Sequence, residues 1–80
     1  MLFMKATPFH RIRTARGKTL EEIARAVNSN PGNLSRIGRG VNVPSLRLAE
    51  ALARYFDGEV SELELLYPER FMANEAQGNG

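Results

Sequence analysis

Residues 19–39 read TLEEIARAVNSNPGNLSRIGR, and two helix starts stand in that short stretch. Thr19 with Glu22 forms a capping box, in which the hydroxyl accepts from the third amide and the carboxylate reaches back to the cap amide. Leu20, Ile23, Ala24 and Val27 then share one face. Asn28, a residue that tolerates left-handed backbone, ends the run. Asn30 followed by Pro31 starts the next helix, because proline at the first helical position gives up an amide that has no partner there anyway. Leu34 and Ile37 supply its apolar side, and Gly38 and Gly40 close it. Two helices this short, joined by about three residues, have the length of a helix-turn-helix unit. Ala24 offers the small side chain that a steep crossing needs at closest approach.

Working outward, the same punctuation recurs. Thr7-Pro8 starts a helix with Phe9, Ile12 and Ala15 on one side and Gly17 as its stop. Ser45 caps a helix in which Leu46, Leu48, Ala49, Leu52, Ala53 and Phe56 make the most apolar face of the chain. Asp57-Gly58 turns the backbone. Ser61 with Glu64 makes a second capping box ahead of Leu63, Leu65, Leu66 and Tyr67, and Pro68 stops that helix. No alternating apolar run is long enough for a strand. The reading is all-α, with five helices in one domain over residues 1–71. Residues 72–80 end in Gln77-Gly-Asn-Gly without apolar groups to offset the entropy of ordering, and are expected to form a flexible tail.

A chain of 80 residues and 8.9 kDa allows a single small core. With no cysteine, disulfides, thiol catalysis and cysteine-ligated zinc are excluded, and the lone histidine, His10, argues against any metal site. No nucleophile with a base and no paired carboxylates stand at usable spacing, so the chain reads as no enzyme, with no cofactor and no small-molecule ligand. No stretch approaches a membrane span, and the start MLFMKA lacks the pattern of a secretory signal. A cytoplasmic protein is expected.

The net charge of +2 hides an asymmetry: residues 1–47 hold nine Lys/Arg against two Asp/Glu, whereas residues 48–80 hold two against seven. One half is suited to a polyanion, and the other is turned away from it or used for self-contact.

The strings RIRTARGKTLEEIARAV, NLSRIGRG and VPSLRLAEALARYF follow in the order first helix, motif and core helix without gaps. From about Ile12 to Leu66 the chain resembles the Cro/C1-type helix-turn-helix family of phage and bacterial transcription regulators. The resemblance implies a five-helix, lambda-repressor-like domain whose third helix enters the DNA major groove. Two departures stand out. Ser29 occupies a slot usually held by an apolar turn residue, and Gly38 occupies one that often holds a glutamate paired with the arginine at the slot of Arg13. Arg13 is therefore expected to be free to reach phosphate, or else solvated. Pro31 and Gly32 fill slots that often carry base-reading side chains, so readout falls to Arg36, whose guanidinium can address guanine O6 and N7, with Asn33, Ser35 and Asn30 beside it. Lys18, Thr19, Arg39, Asn42 and Ser45 join Arg13 as phosphate contacts, and Arg11, Arg16 and Arg25 are weaker ones.

One such helix reads only a few base pairs, so a homodimer on double-stranded operator DNA is expected. The apolar residues Val60, Leu63, Leu65, Leu66, Tyr67 and Phe71 are the expected interface, with Leu2, Phe3 and Met4 as the rival. The resemblance points to a small stand-alone Cro-like repressor. An antitoxin that regulates its own operon and a helical adaptor without DNA binding are the alternatives.

Overall fold

Each α-helix among the described residues begins where a side chain replaces a missing backbone partner. The computed structural model describes residues 6–72, and both the arm Leu2, Phe3 and Met4 and the tail from residue 73 lie outside them. Within that span the order is α1 Pro8–Arg16, α2 Leu20–Val27, α3 Pro31–Gly38, α4 Leu46–Tyr55 and α5 Glu62–Leu66, followed by a 3-10 turn at Pro68–Arg70. Thr7, Thr19, Asn30, Ser45 and Ser61 are the five N-caps, each accepting from the third amide of its helix. Both expected capping boxes form. Asn28 and Gly17 adopt left-handed backbone at the ends of α2 and α1, as does Gly40 just beyond α3.

The core is one cluster of Phe9, Ile23, Ala24, Leu34, Ile37, Ala49, Leu52, Phe56, Val60 and Leu65. α4 packs against α2 and α5, α2 crosses α3, and α1 touches α3 and α5. Phe9 and Phe56 meet edge to face with centroids 6.4 Å apart, which fixes α1 over the end of α4. Thr7 is buried and joins two elements: its hydroxyl donates to the Gly38 carbonyl at 2.8 Å and accepts from the His10 amide at 3.2 Å. The end of α3 is thereby fastened to the start of α1.

Two expectations about burial are corrected. Val60 and Leu65 are 1% and 2% exposed inside the monomer core, so neither can form a surface between subunits. Leu46, placed on the core face by its spacing, is 59% exposed. As the first residue of α4 its side chain leans past the helix end, where no neighbouring layer covers it. Pro68 does stop α5, but the chain continues as a helical turn rather than a loop.

Candidate nucleic-acid interface

The burial of Leu34 and Ile37 decides what α3 shows to the outside. At 3.6 residues per turn, their opposite face carries Gly32, Arg36 and Arg39, and all three are exposed. Ser35 and Asn33 lie on the flanks, each half-buried. Among the described residues the side chains of Arg36 and Asn33 have no hydrogen-bond or ion-pair partner. A guanidinium and a carboxamide held out from a rigid helix are suited to guanine and adenine edges, respectively.

Asn30 is differently committed. Its Oδ1 accepts from the Asn33 amide at 2.7 Å as the N-cap of α3, which ties the carboxamide to the start of the helix. The second lone pair of that oxygen and the Nδ2 donors remain for an outside partner. Arg39 folds back on its own helix, where Nε donates to the Ser35 carbonyl at 3.3 Å, and the residue as a whole is exposed.

Helix termini rank the phosphate candidates. α3 and α4 carry no acidic residue in their first turns, whereas α2 carries Glu21 and Glu22. The positive end of α2 is thus already answered by carboxylates, while those of α3 and α4 are open to an anion. Glu22 is held there, because the Thr19 amide donates to it at 2.9 Å and keeps its pKa below the usual glutamate range. Thr19 spends its amide and its acceptor in that box, and its hydroxyl proton is what remains for a phosphate. Ser45, capping α4 at 3.2 Å from the Leu48 amide, keeps a hydroxyl proton too. Beside it stands the exposed Arg47, absent from the expected phosphate set although a cation at the second position after a serine cap was legible. A recess of about 310 Å³ opens there, lined by Asn28, Ser29, Ser45 and Arg47 among others. Asn42 is exposed at the end of the α3 connection, and its amide donates to the Arg36 carbonyl. Lys18 is half-buried at the turn between α1 and α2.

Other cations are used inside the monomer. Arg13 is neither free nor merely solvated: its Nη1 donates to the Lys18 carbonyl at 3.0 Å and braces the turn that presents Lys18 and Thr19. Arg11 donates to the Phe71 carbonyl at 2.7 Å. Arg16 pairs with Glu59 at 2.8 Å, and that contact keeps the Glu59 carboxyl below its ordinary range. Gly38 leaves room for a Cβ 3.5 Å from Phe9 Cδ2, so its open side faces α1.

The sequence of residues 9–63 matches the helix-turn-helix family, over more than half of the chain, and the protein belongs to that family in its XRE-type, Cro/C1-type branch. It is a DNA-binding transcription regulator of that type. No curated protein and no solved structure matches the chain. No helix among the described residues is long and apolar enough to cross a membrane.

Proposed function

We propose that the protein is a Cro-like repressor that binds a palindromic operator as a homodimer, with α3 of each subunit in the major groove. The observation that carries this reading is the outward face of α3, where the side chains of Arg36 and Asn33 have no partner among the described residues, together with first turns of α3 and α4 that carry no acidic residue. Arg36 reads guanine, and Asn33, Ser35 and Asn30 add base contacts. Lys18 and Thr19 hold one phosphate strand, while Arg39, Asn42, Ser45 and Arg47 hold the other. Arg13 acts through the turn it braces.

Two half-sites about 34 Å apart require two recognition helices related by a dyad. Leu63 and Tyr67, 50% and 45% exposed on α5 and just after it, are the apolar groups offered to a second subunit, with Leu66 and Phe71 at their margin. Selection of binding sites from a random duplex pool tests the proposal. A shared motif with two inverted halves is the expected result, with two chains per duplex on sedimentation. Recovery of no common sequence would overturn it.

A further inference from the structure

The peptide group between Lys18 and Thr19 is held at both ends by ionised side chains. Its carbonyl accepts from Arg13 Nη1 at 3.0 Å, and its amide, the Thr19 N–H, donates to Glu22 Oε1 at 2.9 Å. Arg13 meets the same residue through the backbone as well, where the Lys18 amide donates to the Arg13 carbonyl at 3.1 Å. Among the described residues Arg13 and Glu22 make no direct ion pair with each other. One peptide group thus connects a guanidinium in the last turn of α1 to a carboxylate in the first turn of α2. Hydrogen bonds with an ionised partner are about twice as strong as neutral ones, and bonds at the two ends of one peptide polarise it in the same sense.

The residues on either side of that peptide are Lys18 and Thr19, whose ammonium and hydroxyl are the groups offered to one phosphate strand. The orientation of the peptide plane sets the directions in which both side chains leave the backbone. Glu22 is exposed beside them, and by charge alone a carboxylate there opposes a polyanion. We infer that Arg13 and Glu22 are paired positioning residues for DNA binding, which act through the Lys18–Thr19 peptide to aim the Lys18 ammonium and the Thr19 hydroxyl at phosphate. Neither touches the DNA. An acidic side chain therefore promotes binding to an acidic partner, because the geometry it imposes is worth more than the repulsion it brings. This inference rests on the DNA-binding reading above and assigns the two groups that stand behind one set of its phosphate contacts.

The test uses the full chain and a scrambled duplex, since phosphate contacts carry no sequence information, titrated at several salt concentrations well below the melting transition. Glu22→Ala should bind about threefold to tenfold more weakly than the wild type, the worth of about one hydrogen bond. It should also lower the salt slope by about one ion, although it removes a negative charge. Glu22→Gln removes the same charge but can keep the capping box, and should recover most of that loss. Arg13→Met should behave as Glu22→Ala does. On a Lys18→Ala background both substitutions should lower the slope no further, because the ammonium they aim is gone. Circular dichroism at the titration temperature establishes that each variant is folded, and the cycle of Arg13→Met with Lys18→Ala decides the matter even where Glu22→Ala does not fold. If folded Glu22→Ala binds as tightly as the wild type or more tightly, the bridge is refuted while DNA binding stands. If Arg13→Met lowers the slope by a further ion on the Lys18→Ala background, Arg13 touches phosphate itself and the pairing is refuted. If the wild-type protein binds neither the scrambled duplex nor one selected from a random pool, the bridge and the DNA-binding reading fall together.

Discussion

Replacing Thr7 with valine keeps the shape of the side chain and deletes one hydroxyl that serves two elements. The Oγ1 of Thr7 accepts from the His10 amide as the cap of α1 and donates to the Gly38 carbonyl at the end of α3. Loss of an N-cap costs about 0.5–2 kcal/mol. Leaving the Gly38 carbonyl without its partner, beside a residue only 1% exposed, adds about 1–3 kcal/mol. Thr7→Val should therefore lose about 1.5–5 kcal/mol, a large share of the roughly 4–12 kcal/mol expected for a domain of this size. At about 4–8 °C per kcal/mol, the melting temperature should fall by about 6–40 °C. Thr7→Ser retains both hydrogen bonds and gives up one methyl group, so it should lose only about 1 kcal/mol. Circular dichroism of both variants through thermal and urea transitions measures the difference. A Thr7→Val protein that melts within about 3 °C of the wild type, or no lower than Thr7→Ser, would show that the hydroxyl does not fasten α3 to α1.

Leu65→Ala should cost about 2–5 kcal/mol because it empties a core site, whereas Leu63→Ala should leave monomer stability within about 0.5 kcal/mol and weaken self-association; sedimentation and melting of the pair check this. Glu22 has a lowered pKa in the fold, so its contribution is complete above its unfolded pKa of about 4.3 and is lost as pH falls through the folded value. Glu22→Gln can keep the capping box and should flatten that decline in urea titrations across acid pH; an unchanged decline would remove Glu22 as its source. Gly38→Ala should stabilise by about 0.4–1 kcal/mol, since its Cβ would rest at contact distance from Phe9, and a lower melting temperature would show that the end of α3 needs glycine.

All five helix starts could be read from sequence because a cap is a local device. Thr7-Pro8, Thr19 with Glu22, Asn30-Pro31, Ser45 and Ser61 with Glu64 each satisfy an amide three residues away. The face of α3 that meets solvent was legible for the same reason, once Leu34 and Ile37 were assigned inward. What could not be read depends on distant neighbours. Arg11 and Arg16 look like surface charges until the chain brings Phe71 and Glu59 to them across 60 and 43 positions. In α5, only five residues long, Leu63 and Leu65 are equally apolar, and which one meets α4 is decided by how the helix docks.

The outward face of α3 as a reader of base edges is tested most directly by titrating wild-type protein and Arg36→Ala against the preferred duplex and a scrambled one at several salt concentrations. Arg36→Ala should lose about 1–3 kcal/mol on the preferred duplex and almost nothing on the scrambled one, with a similar salt slope on the latter. Lys18→Ala, as the comparison, should weaken both complexes alike and lower the salt slope by about one ion. Equal losses on both duplexes for Arg36→Ala would contradict base reading by this helix and reduce Arg36 to a phosphate contact.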